Sequence, residues 1–152
     1  HIDQSLFART ILDEKNGPPP EVNLFNEKNN GESILNLIDK GYVKSAHDIS
    51  LGGLLVAISK MCIKGNKGIK ISKSKNLINE IEYFFAEDQG RYLIEVNKED
   101  LKEVTKILNK NSVHHEELGI ITQNDMIINE KTKVTIDELK SYYTNWLSKF
   151  MS

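Results

Sequence analysis

Residues Ser45-Ala46-His47-Asp48-Ile49-Ser50-Leu51-Gly52-Gly53 stand directly before the apolar run Leu54 to Met61. A strand that ends in small and polar residues, followed at once by a helix, can do two kinds of work. The first turn of a helix presents unpaired N–H groups and a partial positive charge, which suit a phosphate. Ser50, Gly52 and Gly53 would then form the ligand-binding turn. Asp48 could face outward and hold a hard cation such as Mg²⁺. The other reading is an ordinary helix cap, with Asp48 or Ser50 accepting from the first turn. Both readings use the same residues, and the cap is the commoner use of such a turn.

A second polar group lies further on. Glu87, Gln89 and Arg91 fall just before and inside a probable strand. Glu and Gln offer orientable hydrogen bonds, and Arg can grip phosphate or carboxylate with two parallel bonds. The alternative is an internal Glu87–Arg91 pair that fixes the loop. His114-His115-Glu116-Glu117 has metal-ligand residue types, but neighbouring side chains on an extended chain point to opposite faces and do not converge. Cys62 continues the Leu54–Met61 pattern and reads as a small buried apolar residue. No Ser–His–acid set, no partnered Cys nucleophile and no Walker lysine occurs, so a complete catalytic apparatus is not expected in this chain.

The elements that must position these residues are mixed. Gln4 to Leu12 suits a short helix or an irregular lead-in, broken by Gly17 and three prolines. Ser33 to Lys40 has helical spacing and Gly41 as its stop. Tyr42 to Ala46 reads as a strand and Leu54 to Ile63 as a largely buried helix. Gly68 to Ser72 alternates like a half-buried strand, and Asn76 to Phe85 reads as a helix carrying Leu77 and Ile78. Arg91 to Val96 is a strand, and Lys98 to Asn109 an amphipathic helix with Leu101, Val104, Ile107 and Leu108 on one face. Short strands follow at Leu118–Thr122, Asp125–Asn129 and Lys133–Ile136. A last helix runs from Asp137 to about Phe150, with Leu139, Tyr142, Tyr143, Trp146 and Leu147 expected on its buried side; docking onto another domain is the alternative for its aromatic cluster. Strands and helices without strict alternation predict an α+β fold, a mixed β-sheet covered by helices.

The 152 residues suffice for one core, and 28% charged residues beside 39% hydrophobic ones are ordinary for a globular protein. A formal net charge of −2 leaves no basic footprint for nucleic acid. No apolar run reaches the length of a membrane span, and no signal-peptide pattern is present. A lone cysteine favours a reducing, cytoplasmic compartment. The chain starts at His1 without a Met and reads as a piece of something longer.

The spelling Ser-Ala-His-Asp-Ile-Ser-x-Gly-Gly-Leu-x-Val-Ala-Ile-x-x-Met, from Ser45 to Met61, resembles a motif in the last domain of the phosphoribosylformylglycinamidine synthase family. Other segments are similar to that family in the same order. They are Gln4-Ser5-Leu6-Phe7, Gly17 to Val22, Gly31 to Leu37 with Lys40-Gly41, Phe85 to Ile94, Leu118 to Thr122, and Leu139 to Met151. Two positions depart from the family's pattern. Leu51 stands where a polar residue is usual, and Asp88 where Ser is usual. The apolar Leu51 offers no hydrogen bond to a phosphate, which favours the cap reading of the turn.

The resemblance implies the fold of the C-terminal domain of the aminoimidazole-ribonucleotide-synthetase-like superfamily. It implies residues 1–31 as a lead-in from a preceding domain and 32–152 as a single C-terminal domain. It implies an ATP-dependent ligase that converts formylglycinamide ribonucleotide to the amidine in purine biosynthesis, with Mg²⁺, ATP and glutamine-derived ammonia. Other members of the superfamily (aminoimidazole ribonucleotide synthetase, selenophosphate synthetase, thiamine-phosphate kinase) and a non-catalytic interaction domain are the alternatives. In larger members the Asp and Ser matching Asp48 and Ser50 serve a second, structural nucleotide site, with Mg²⁺ on the Asp. The partners implied are preceding domains of the same chain, a glutaminase subunit and a small accessory subunit. The catalytic base and most ATP contacts belong to earlier domains, so this chain alone is expected to be inactive. A domain with such neighbours should leave apolar side chains uncovered, and Leu6, Phe7, Ile11, Leu12 and Val22 are the expected ones.

Overall fold

A computed structural model of the chain describes residues 1–71 and 79–152. Its helices are α1 (Leu6–Thr10), α2 (Leu24–Asp39), α3 (Gly53–Gly65), α4 (Glu80–Phe85), α5 (Leu101–Lys110) and α6 (Ile136–Met151). Its strands are β1 (Val43–Asp48), β2 (Gly68–Ile71), β3 (Tyr92–Val96), β4 (Gly119–Thr122), β5 (Asp125–Ile128) and β6 (Thr132–Thr135). The fold is α+β, as the mixed pattern predicts. By contacts the chain divides into two compact units, His1–Ala57 with Ile81–Glu116, and Ile58–Glu80 with Glu117–Ser152.

In the first unit β1 and β3 pair antiparallel, with Ala46 opposite Ile94 and Asp48 opposite Tyr92. Leu37 of α2 and Val104 and Leu108 of α5 form its buried centre, against Tyr42, Val43, Ile94, Val96, Ile107 and Val113. Val104, Ile107 and Leu108 are the residues that helical spacing places on the inner face of α5, whereas Val113 follows that helix outside any element. α2 ends as its sequence dictates: Gly41 takes a φ of +75°, and the Tyr42 N–H donates to the Leu37 carbonyl.

α2 starts well before the expected Ser33. The Asn23 side chain caps it by accepting from the Asn26 N–H. The polar stretch Asn26 to Glu32 shows no apolar period, but Asn29 Nδ2 donates to the Asn111 carbonyl at 2.7 Å and Asn30 Nδ2 to the Gly90 carbonyl at 3.0 Å. This face of the helix is held by hydrogen bonds rather than by apolar burial, so periodicity could not reveal it.

In the second unit the sheet order is β4-β2-β5-β6. β2 and β5 run parallel and the other pairs antiparallel, so the sheet is mixed. Ile58, Cys62, Ile71, Met126 and Ile136 are its buried apolar residues. Burial pushes the Cys62 thiol up to about 11, which keeps it an inert packing residue. Of the helix expected over Asn76–Phe85, the part that includes Leu77 and Ile78 lies outside the described residues, as does Ser72 at the end of the strand before it; Glu80–Phe85 is helical.

α6 corrects one expectation. Its start is built by a capping box, in which the Glu138 N–H donates to Thr135 Oγ1 while Glu138 accepts from the Thr135 N–H at 2.8 Å. The Thr135 N–H first, and then the Thr135 hydroxyl, which donates to the same carboxylate oxygen at 2.8 Å, lower the Glu138 carboxyl's pKa from its ordinary value. Ile136 is buried and Leu139 half-buried, but Tyr142, Tyr143 and Trp146 are 80%, 58% and 61% exposed. Helical spacing of apolar groups records that a face is built to be covered; it does not say that the cover lies in the same unit. The side chain of Leu147 lies outside what the structure describes.

Candidate functional site

The two polar groups picked out in the sequence meet in the first unit. Strand β1 runs through Asp48 into the buried Ile49, whose N–H donates to the Arg91 carbonyl at 2.9 Å. That bond extends the β1–β3 ladder by one step and sets the loop Ala86 to Arg91 beside the turn that begins α3. The strand is longer than the expected Tyr42–Ala46 because β3 continues to pair with it as far as Asp48.

The turn itself is Ser50-Leu51-Gly52-Gly53. The Gly53 N–H donates to the Ser50 carbonyl at 2.9 Å. Gly52 and Gly53 have φ of +89° and +72°, in the left-handed region. A Cβ on Gly53 would stand 2.7 Å from Cα and C of Phe85, so the end of α4 lies directly against this turn. Both glycines are buried. The helix start is therefore not bare, in contrast to what a glycine pair at this position suggests. The room beside Gly53 is taken by the backbone of Phe85 and that beside Gly52 by the Val56 side chain of α3 itself, while Glu87 takes the Gly52 N–H.

Glu87 is the centre of the arrangement. Its Oε1 accepts from the Gly52 N–H at 2.8 Å and from the Leu6 N–H at 2.8 Å. One carboxylate oxygen thus serves the turn before α3 and the first residue of α1. α1 is prepared for this by Ser5, buried to 1% exposure, whose Oγ accepts from the Ala8 N–H at 3.1 Å. Phe7 stacks on Phe85 with ring centroids 4.5 Å apart. Periodicity did not mark Ser5 and Leu6 as part of the site. Their signal is the Ser N-cap three residues before Ala8, which fixes where the helix begins and so where the Leu6 N–H points.

Arg91 does not pair with Glu87, which corrects the expectation of a Glu87–Arg91 pair. Its guanidinium donates to the Ala86 carbonyl at 3.2 Å and lies 3.7 Å from the Asp88 carboxylate. The cause is that Glu87 is already engaged by two backbone donors, leaving Asp88, three residues before Arg91, as the carboxylate within reach. Gln89 is exposed at the loop tip. Gly90 closes the loop at φ +67°, with its carbonyl held by Asn30.

Asp48 and Ser50 lie on the outside of the turn. The Asp48 side chain is 64% exposed, with Oδ1 3.4 Å from His47 Nδ1. Leu51 beside it is 63% exposed. The site thus has an outer edge with a carboxylate and a hydroxyl, and an inner edge where the Gly52 N–H is taken by Glu87. The outer carboxylate has the chemistry to hold a hard cation. Elsewhere in this unit, His115 Nδ1 lies 2.9 Å from the Val113 carbonyl, and Glu116 accepts from the Tyr83 hydroxyl at 2.9 Å. Burial first, and then Glu116, push that hydroxyl's pKa well above its ordinary value. Among the described residues no group of three or more His, Cys, Asp or Glu could hold a metal ion, and no helix is long and apolar enough to cross a membrane.

A family model described as AIR synthase related protein, C-terminal domain, matches residues 4–129. The phosphoribosylformylglycinamidine synthase subunit PurL of Pelagibacter ubique (strain HTCC1062) is 64% identical over 151 residues, which is 99% of this chain and 21% of that protein. The chain spans about a fifth of the length of that relative. Three solved structures share the fold. Thermotoga maritima PurL complexed with FGAR has a TM-score of 0.67 at 21% identity, covering 78% of this chain and 21% of that one. The same protein complexed with ATP has a TM-score of 0.64 at 20% identity, covering 74% and 21%. The PurLQS structure from Thermotoga maritima has a TM-score of 0.67 at 21% identity, covering 87% and 24%.

Proposed function

The chain belongs to the AIR synthase related protein C-terminal domain family, and from that premise we propose that it is the C-terminal domain of the synthetase subunit of phosphoribosylformylglycinamidine synthase. The full protein would convert formylglycinamide ribonucleotide to the amidine with ATP and glutamine-derived ammonia, in the cytoplasm. The observation that carries this reading is the 64% identity to a PurL subunit along 99% of the chain. Residues 1–31 would lead in from a preceding domain and 32–152 form the C-terminal domain. The exposure of Leu6, Ile11, Leu12 and Val22 supports a neighbour over this segment, while Phe7 is turned inward onto Phe85. A glutaminase subunit and a small accessory subunit are the proposed partners; the PurLQS assembly of the Thermotoga protein supports them.

Bound Mg·ATP would supply the phosphoryl group that activates the substrate's amide oxygen. The role of this chain is positional. Its first unit holds the Asp48–Gly53 turn rigidly, and its apolar surfaces carry neighbouring domains. Assay of the full-length protein with formylglycinamide ribonucleotide, ammonia and Mg·ATP should yield amidine and phosphate, and this chain alone should yield neither. Turnover by the isolated chain, or a full-length protein that ignores this substrate and accepts that of another superfamily member, would overturn the reading.

For the turn we propose a structural role, with the nucleotide site as the second reading: Mg²⁺ on Asp48, and phosphate near Ser50, Gly52 and Gly53. The Gly52–Glu87 bond and the apolar Leu51 support the first; the exposure of Asp48 and Ser50 supports the second. A ligand at 100 times its dissociation constant stabilises by about 2.7 kcal/mol, whereas a purely structural cost of Asp48→Ala does not depend on added nucleotide. Melting of the full-length protein with and without Mg·ADP, in the native form and in Asp48→Ala, separates the two. We expect no nucleotide-dependent rise that Asp48→Ala abolishes.

A further inference from the structure

We propose that Asn16 is a self-modifying site: it loses its side-chain amide spontaneously through attack by the Gly17 nitrogen, and the isoaspartate that results releases a clamp on the lead-in segment. The chain holds two Asn-Gly dipeptides, Asn16-Gly17 and Asn30-Gly31, and the fold treats them in opposite ways. Asn16 and Gly17 are exposed and belong to no helix or strand. Among the described residues, neither the Asn16 side chain nor the Gly17 N–H makes a hydrogen bond. The turn itself demands the glycine. Gly17 has a φ of +102°, and a Cβ on it would stand 2.7 Å from Cβ, Cγ and Oδ2 of Asp3. The fold thus places beside Asn16 the one residue with no side chain to shield its nitrogen. Asn30 has the same neighbour without the same freedom. Its Nδ2 donates to the Gly90 carbonyl at 3.0 Å, and Gly31 lies inside α2, whose ladder engages its N–H. The run Asp13 to Gly17 carries no apolar side chain that needs cover, so a neighbour over Ile11, Leu12 and Val22 leaves it in solvent.

The reaction needs only water. The Gly17 nitrogen bonds to the Asn16 side-chain carbonyl carbon, the bond from that carbon to the amide nitrogen breaks, and ammonia departs carrying the Gly17 proton. A five-membered succinimide remains. Water then opens either of its two C–N bonds, giving aspartate or, with the main chain rerouted through Cβ and Cγ, isoaspartate. The second product lengthens the backbone by one carbon at a point where length matters. Gln4 Nε2 donates to the Lys15 carbonyl at 2.9 Å and to the Gly17 carbonyl at 3.0 Å, on either side of Asn16. Gln4 Oε1 in turn accepts from the Arg9 guanidinium at 2.7 Å. With an extra carbon between the two carbonyls, one amide group no longer spans them, and Arg9 at the end of α1 loses a fixed partner.

The full-length protein, incubated at neutral and at mildly alkaline pH and sampled over time, tests this. Trypsin separates the dipeptides into the peptides Asn16–Lys28 and Asn29–Lys40. Mass spectrometry against a time-zero digest counts conversion in each, and an isoaspartyl methyltransferase labels the rerouted product. Asn30 must first break its bond and open the helix, so Asn16 should convert about tenfold faster or more, and faster still at the higher pH. Conversion at Asn16 no faster than at Asn30 would overturn the site. Brief trypsin treatment of the folded protein reads the clamp. After conversion, cutting at Arg9 should speed up roughly two- to tenfold, the worth of a lost hydrogen bond. Asn16→Gln, an exposed substitution that blocks the five-membered ring, should show no such change with age. Unchanged cutting in the converted protein, or an equal rise in Asn16→Gln, would overturn the link to the clamp.

Discussion

Gly53→Ala should lower the stability of this chain by about 3 kcal/mol or more. Two costs add. An L-residue in the left-handed region costs about 1–2 kcal/mol, and Gly53 has a φ of +72°. The added Cβ would also stand 2.7 Å from Cα and C of Phe85 and 2.8 Å from the Phe84 carbonyl oxygen. These are backbone atoms, which cannot rotate away as a side-chain end can, and overpacking of this kind adds about 1–3 kcal/mol. Gly41→Ala is the internal control: its φ of +75° is nearly the same, but nothing lies within 4 Å of the new Cβ. It should cost only the conformational part. Urea unfolding followed by circular dichroism compares the two. Equal destabilisation would mean that the turn does not lie against the end of α4 as described.

The second large effect is expected at Leu37. Its side chain is fully buried at 0% exposure, against Val104 and Leu108. Leu37→Ala removes apolar contacts from the centre of the first unit and leaves a cavity, at a cost of about 2–5 kcal/mol. Leu35, two residues earlier on the same helix, is 61% exposed, and its replacement by Ala should stay within about 0.5 kcal/mol. Helix propensity is the same for both substitutions, so the difference between them reports burial alone. A Leu35 variant as damaged as the Leu37 variant would show that α2 presents a different face to the core. In the full-length protein, a cost at Leu35 that is missing in the isolated chain would instead mark that side of α2 as covered by a neighbour.

The docking question is sharpest on α6. Tyr142, Tyr143, Trp146, Phe150 and Met151 are all exposed, and the match to the domain family stops at residue 129, before this helix begins. The likeness to the Pelagibacter subunit nevertheless runs over 99% of the chain. The aromatic face of this helix is uncovered in this chain.

Local sequence determined much of this protein. The period of Leu101, Val104, Ile107 and Leu108 gave α5 its face, Gly41 its stop to α2, and the alternation of Ile69 and Ile71 the strand β2. The spelling from Ser45 to Met61 pointed to the family that the comparisons show. It also placed the glycine pair at a strand-to-helix turn, which is where it is, whereas Asp48 is the last residue of the strand. What it could not decide were relations between distant segments. The start of α2 at Leu24 depends on Asn29 and Asn30 reaching residues some sixty to eighty positions away. Arg91 turned to Asp88 because Glu87 was already claimed by two backbone donors from remote parts of the chain. The glycine turn is filled rather than open for the same reason. A periodic pattern states which side chains need cover and which backbone needs no Cβ. Which group supplies the cover is a matter of chain segments meeting in space, and no local spacing encodes that.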